Sequence, residues 1–337
     1  MKYTGKIIAL AFPDTFVKGS TELICKLLPY VGLGTKDFIK AGHAALLLVE
    51  NETGAIRYFD FGRYVTPPGH GRVRSAETDA ELALPFKASF DENDTMLNVE
   101  EVLLWLDANP QRTHGSGRLL ASVCDQIDFK KAESYILALQ ERGSIPYGVF
   151  EKDGSNCSRL VAETLLAATD ATRIIKRLKF NKLFTPSTVG NVEIAATNGI
   201  VYQVLNGNIK PYKGSAFKEN LTNYFDKKNI PIIGPENKVS CEADLQALDG
   251  IGSAAYFKLV PSNLPKAHYR IQRYNEKFEI DFDGVYVCET FNPKSEFIFT
   301  YDSHCKYCHV LQNNEKLKMD CVGEFSMFNS SKKVHSA

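Results

Sequence analysis

Tyr147-Gly148-Val149-Phe150-Glu151-Lys152-Asp153-Gly154-Ser155-Asn156-Cys157-Ser158-Arg159-Leu160-Val161 places one cysteine behind a polar, glycine-containing turn and at the mouth of an apolar helix. The free N–H groups of a first helical turn and the helix dipole both favour an anion at that point. Thiolates so placed titrate at roughly 3.5–7.5 instead of near 8.5. Cys157 is therefore a candidate nucleophile, and Leu160, Val161, Thr164, Leu165 and Ala168 form the inward stripe of its helix.

A thiolate nucleophile needs a proton acceptor within reach, and the acceptor needs a third group to hold its tautomer. His43 stands in Ala41-Gly42-His43-Ala44-Ala45-Leu46-Leu47, at the start of a fully apolar strand that would fix an imidazole without swallowing it. Asp60 interrupts the following strand in Tyr58-Phe59-Asp60-Phe61-Gly62, across the turn-forming Asn51-Glu52-Thr53-Gly54. The two strands read as a β-hairpin, with the carboxylate positioned to receive the second ring N–H of His43. A strand-end carboxylate paired with Arg57 or Arg63 is the structural alternative for Asp60.

Gly42-His43 before an apolar strand, a polar residue on the next strand, and later Pro146-Tyr147 followed by Asn156-Cys157-Ser158-Arg159-Leu160-Val161 on a helix resemble the circularly permuted papain-like hydrolases. These are the branch of the NlpC/P60 superfamily with the YiiX/YaeF-type proteins and the lecithin:retinol acyltransferase group, in which the histidine precedes the cysteine. The resemblance covers roughly residues 5 to 170. It implies Cys157 as nucleophile, His43 as general base and Asp60 as orienting group. Asp60 departs from the Glu, His or Asn common in the third place, and Arg63, Tyr64 or His70 are substitutes for it. The implied activity is cysteine-dependent hydrolysis of an amide or ester through a thioester, of the peptidase or amidase kind. The alternatives are an acyltransferase or lipid esterase on the same fold, and an inactive module that binds a peptide or lipid.

Working outward, Lys6 to Phe12 reads as a buried strand, Ser20 to Leu28 as a short helix, and Asn98 with Glu101 as a capped helix start. Asp128 to Arg142 is a further helix ended by Gly143, with Ala132, Tyr135, Ile136 and Leu139 on one face. Beyond Lys182 the texture changes. Asn198-Gly199 and Asn206-Gly207 mark hairpin turns, and Phe278, Ile280 and Phe282, then Phe297, Phe299 and Tyr301, alternate with other residues as in half-buried strands.

The expected fold is α+β: a papain-like domain over 1–195 with a central antiparallel sheet and helices, a β-rich domain over 196–330, and a disordered tail over 331–337. A chain of 337 residues exceeds the about 100–150 of a typical domain, which fits two.

Forty basic residues balance forty acidic ones, so nothing points to a nucleic-acid partner. No apolar run approaches the roughly 20 residues that span a bilayer. No export signal is visible in the N-terminal run, and the eight scattered cysteines read as mostly reduced thiols of a cytoplasmic protein. The rigid, basic Pro67-Pro68-Gly69-His70-Gly71-Arg72-Val73-Arg74 is expected near the cleft, where Arg72 and His70 would meet an acidic substrate group; the alternative is a solvated turn. Tyr147 and Asn156 flank the nucleophile and join the expected substrate-binding set. His304-Cys305-Lys306-Tyr307-Cys308-His309 has the Cys-x-x-Cys-His order of haem attachment, which requires an exported context. A zinc site would need two more ligands, for which only Cys288 and Cys321 are near in sequence. Two cysteines near a strand end without a ligand role are expected, and no cofactor.

Overall fold

The computed structural model describes residues 3–18, 38–148, 151, 153–183, 186–223, 225 and 244–328. The helix expected over Ser20 to Leu28 and the tail over 331–337 lie outside the described residues. The chain divides into two units. One comprises Met1–Gly62, Val73–Ser75 and Leu82–Ile232; the other comprises Arg63–Arg72, Ala76–Glu81 and Ile233–Ala337.

The first unit is built on strands β1 (Gly5–Phe12), β2 (His43–Glu50), β3 (Ile56–Gly62), β4 (His70–Arg74, of which Val73 and Arg74 fall in this unit), β5 (Leu119–Ile127), β6 (Ile145–Pro146), β7 (Tyr202–Leu205) and β8 (Asn208–Pro211). Their order across the sheet is β8-β7-β5-β1-β2-β3-β4-β6. β1 lies centrally, antiparallel to β2 with Phe12 opposite His43, and antiparallel to β5 on its other side. Every residue of β1 is buried, because the sheet is covered on both faces.

Ile7, Ala9 and Ala11 join one core with α2 (Phe129–Glu141), α3 (Cys157–Ala168) and α5 (Thr188–Ala195). Ile8, Leu10 and Phe12 join the opposite core with α1 (Val99–Ala108). Strands buried on both faces need continuous apolar sequence, which is the pattern of Ile7 to Phe12 and Ala44 to Val49. The same unit also carries α4 (Thr172–Asn181), α6 (Ala216–Asn223) and the single helical turn Pro110–Thr113. No described helix is long and apolar enough to cross a membrane.

Two local expectations are corrected. Asn98 does not cap α1: its Oδ1 accepts from Ser89 N–H at 3.0 Å and its amide donates to the Lys87 carbonyl at 2.9 Å, so it ties down the incoming loop. The boundary expected at residue 195 falls inside the first unit, because hairpin β7–β8 extends the first sheet through the β5–β7 pairing Leu119↔Val204 and Ala121↔Tyr202. The Asn206-Gly207 turn was legible locally, but which sheet its strands join is a tertiary matter.

The second unit is β-rich and antiparallel. Its seven strands are β9 (Gln246–Leu248), β10 (Ala255–Val260), β11 (His268–Tyr274), β12 (Ile280–Val287), β13 (Ile298–Thr300), β14 (Tyr307–Gln312) and β15 (Glu315–Glu324), in the order β9-β10-β11-β12-β15-β14-β13. Phe257, Ile271, Tyr286, Phe299, Val310 and Met319 fill its core, joined by Val65 from the N-terminal half of the chain. The whole is thus α+β with a β-rich C-terminal part, as the sequence texture implied.

Candidate active site

The cysteine helix starts where the sequence places it. Asn156, extended at φ −147° and ψ 173°, is the N-cap of α3, and its side-chain oxygen accepts the Arg159 N–H at 2.8 Å. The preceding turn is anchored by Ser155 N–H on the Pro146 carbonyl at 3.0 Å and by Gly148 N–H on the Ser155 carbonyl at 3.2 Å. Arg142 and Arg159 donate to the carbonyls of Asp153 and Gly154 at 2.7 and 3.0 Å. From α5, the Asn191 amide donates to the Ser158 carbonyl at 2.8 Å and to its hydroxyl at 3.0 Å. These contacts fix the first turn of α3, and with it the sulfur.

Cys157, 7% exposed, is hydrogen-bonded to His43, 6% exposed. Burial alone would raise the Cys157 thiol. The His43 hydrogen bond and charge, together with N–H groups of Ala44 and Ser158 directed at the sulfur, outweigh it and hold the thiol below its ordinary value. His43 shows the converse balance: burial opposes its charge, while the Asp60 carboxylate and the Cys157 sulfur favour it and bring the imidazole up to about 9. Each group thus favours the charged form of the other.

Asp60 is fully buried one strand over. Its Oδ2 lies 3.5 Å from His43 Nε2, a separation suited to an ion pair and too long for a well-formed hydrogen bond; Nε2 has no other hydrogen-bond partner. With Nε2 on the carboxylate side, Nδ1 is the ring nitrogen left for the sulfur. Asp60 is itself held by three donors: Arg74 Nε to Oδ1 at 2.9 Å, Arg74 Nη2 to Oδ2 at 2.5 Å, and the Tyr58 hydroxyl to Oδ2 at 3.0 Å. Burial would raise its carboxyl, but the Arg74 charge and the His43 contact keep it well below the usual carboxylate range. Asp60 pairs with neither Arg57 nor Arg63 in this clamp. Arg57 bonds Glu133 at 2.5 Å instead.

Sequence reasoning missed Arg74, Tyr58 and Asn191. Arg74 was legible only as part of a basic loop; the available signal was the strand-like Arg72-Val73-Arg74 alternation, which predicts a side chain directed into the sheet's environment instead of into solvent. Of the remaining expected residues, Tyr147 stacks on Phe61 with ring centroids 5.8 Å apart. His70 and Arg72 belong to the second unit. There the Arg72 fork is taken up by Asp79 at 2.7 Å on both Nη atoms, with Nε on the Tyr64 carbonyl at 3.0 Å, and His70 Nδ1 lies 3.1 Å from the Pro68 carbonyl. Arg72 is thus a buried structural cation instead of an open fork for a substrate acid.

Cys305 and Cys308 are buried in the second unit, where burial raises both thiols, Cys305 to about 12. Among the described residues no three of His, Cys, Asp and Glu stand close enough together to hold a metal ion.

Comparisons with known proteins add the following. Residues 245–322 match the family model described as DUF6695 C-terminal domain. No curated protein matches the chain. The crystal structure of the type VI secretion system effector TseH aligns at 20% identity and a TM-score of 0.42, covering 62% of this chain and 98% of that one. Residues 7–174, just under half of the chain and including His43, Asp60 and Cys157, are similar to the family described as type VI secretion system effector TseH-like.

Proposed function

We propose that the first unit is a cysteine hydrolase of the permuted papain-like, NlpC/P60 kind that cleaves an amide or ester through a thioester. The observation that carries this reading is the buried relay Cys157–His43–Asp60 at the N-terminus of α3, with a lowered thiol and a raised imidazole. The likeness of residues 7–174 to a family of secretion effectors supports a hydrolase-type effector.

In this mechanism the Cys157 thiolate attacks the substrate carbonyl carbon, forming the C–S bond. The imidazolium of His43 gives its proton to the leaving nitrogen or oxygen as the bond from that atom to the carbonyl carbon breaks. His43, now neutral, takes a proton from water as the water attacks the thioester; the acid is released and the sulfur returns to thiolate. The oxyanion of each tetrahedral intermediate is met by the Cys157 N–H, at the first position of α3. Asp60 keeps the imidazole oriented and stabilises its charge. Tyr147 and Asn156 flank the acyl group, and a peptide-, amide- or ester-containing chain is the substrate.

The test is a labelling and turnover pair. Iodoacetamide at neutral pH is expected to alkylate Cys157 well before the half-buried Cys321, whose thiol is raised. Cys157→Ala and His43→Ala are expected to lose turnover of peptide and ester substrates. Labelling of Cys157 no faster than Cys321, or full turnover in either variant, would overturn the reading.

A further inference from the structure

We propose that α4 and α6 of the first unit form a surface that attaches the protein to an anionic lipid bilayer. Phe180 on α4 is 77% exposed and Phe217 on α6 is 78% exposed, and Leu183, Leu221 and Phe225 in the same two segments are each more than half exposed. Single apolar side chains on a surface are ordinary; five on two adjoining helices mark an interaction surface. The helices adjoin at Ser187, whose N–H donates to the Asn181 side-chain oxygen at 3.3 Å and whose hydroxyl donates to the Asn220 side-chain oxygen at 3.0 Å.

The spacing within α4 explains the exposure. Ile174 and Leu178, four residues apart, are buried and hold the helix to the unit. Lys176, Phe180 and Leu183 recur at i, i+4 and i+7 on the outward side, the Leu183 N–H extending the last turn onto the Phe180 carbonyl at 3.1 Å. Arg173, Arg177 and Lys179 flank that line and are exposed. Lys182 is held by Glu163, but among the described residues no carboxylate pairs with Arg173, Lys176, Arg177 or Lys179. α4 holds no acidic residue, and Asp170, just before it, accepts from the Tyr3 hydroxyl at 2.7 Å. On α6 the one acid, Glu219, is buried and bound by Arg118 at 2.8 and 3.1 Å, whereas Phe217, Lys218 and Leu221 are exposed. Both outward faces thus carry cations and apolar side chains without an acid, in a chain whose total charge is zero.

That combination selects the occupant. Protein interfaces are depleted of lysine, and a nucleic acid gains nothing from exposed leucines. Hydrocarbon accommodates Phe and Leu, while the long Lys and Arg side chains lie along it and keep their charges among anionic headgroups. No described helix is long and apolar enough to span a bilayer, so α4 and α6 lie on its surface. Attachment does not depend on the chemistry of Cys157.

The experiment is sedimentation of the full-length protein with vesicles of phosphatidylcholine alone or of phosphatidylcholine mixed with phosphatidylglycerol. The protein is expected to sediment with the mixed vesicles, to stay in solution with the neutral ones, and to be released as salt is raised. Phe180→Ser combined with Leu183→Ser is expected to weaken binding at least about tenfold, the scale of one Phe or Leu side chain withdrawn from hydrocarbon. Phe217→Ser, on the other helix, is expected to weaken it by a similar factor. Lys176→Gln combined with Lys179→Gln is expected to weaken binding at low salt and to flatten its salt dependence. These side chains are exposed, so each variant is expected to keep the thermal transition and the Cys157 labelling rate of the parent. Absence of sedimentation with the mixed vesicles, equal binding to neutral ones, or unaltered affinity in the Phe180 and Leu183 variant would each overturn the proposal. Displacement of the vesicles by a single-stranded oligonucleotide that binds more tightly, or self-association that Phe180→Ser abolishes in a protein indifferent to lipid, would overturn it too, in favour of a nucleic acid or a second copy of the chain.

Discussion

Cys157 and His43 each favour the charged form of the other. The sulfur accepts from His43 and from two backbone N–H groups, and the imidazolium faces both a thiolate and a carboxylate. The sign of the pH dependence follows. His43 is raised to about 9, so its proton is retained below that pH and lost above it, while the thiol is held below its ordinary value. In a pH–rate profile, kcat/KM is expected to plateau through neutrality and to decline as pH rises through about 9; a profile still climbing there would show that neutral imidazole is the working form. Arg74 is the residue whose loss reaches furthest. It neutralises a carboxylate with no solvent exposure, and removing one partner of a buried pair costs about 3–5 kcal/mol. Arg74→Met is expected to lower the unfolding free energy by that order in urea titration, and to slow Cys157 alkylation at neutral pH as Asp60 loses its fixed geometry. Arg74→Lys keeps the charge without the fork and recovers only part of either.

At the level of single elements, the start of α3 shows how local chemistry sets up the sulfur. The Asn156 side chain satisfies the Arg159 N–H, one of the donors a helix start leaves open. Asn156→Ala is expected to cost about 1 kcal/mol in denaturant unfolding, while Asn156→Asp keeps the cap. The turn before it tolerates little. A Cβ at Gly154 would stand 2.6 Å from the Pro146 carbonyl oxygen, so Gly154→Ala forces the turn to shift. The expected result is slower alkylation of Cys157 with α3 itself retained, read by pairing the labelling rate with far-UV circular dichroism. Asn98 was misread at the same scale: its amide found loop partners instead of the helix N–H groups, a competition that short polar side chains enter wherever a loop passes nearby.

Across the molecule, the second unit is assembled from distant parts of the chain. Val65 N–H bonds the Ser253 carbonyl at 3.2 Å, and Cys305 N–H bonds the Thr78 carbonyl at 3.0 Å. Arg273, 5% exposed, reaches Asp79 at 3.1 Å. A fragment confined to 244–328 therefore lacks Val65 from its core and Asp79, the nearer of the carboxylates that Arg273 pairs with. It is expected to give a poorly dispersed amide spectrum and a broad thermal transition, and a sharp transition with full dispersion would show that residues 63–81 are dispensable to it. Arg273→Met in the full chain leaves the mostly buried Asp281 without this countercharge, while Asp79 keeps the Arg72 fork, and is expected to destabilise this unit at the lower end of about 3–5 kcal/mol in chemical denaturation.

The sequence by itself marked the main strands and helices and the candidate nucleophile. Continuous apolar runs made Ile7 to Phe12 and Ala44 to Val49 into strands covered on both faces, and a capped, dipole-favoured helix start marked Cys157, because periodicity and capping are properties of neighbouring residues. His43 and Asp60 were legible through their strand positions and the resemblance they carry. Only the tertiary structure decided what holds Asp60, where Arg72 is engaged, that β7 and β8 extend the first sheet, and that residues 63–72 and 76–81 build the second unit. Those outcomes depend on which charges and strand edges meet across tens or hundreds of residues. Local pattern leaves that choice open, and burial settles it by requiring every enclosed charge and backbone group to find a partner.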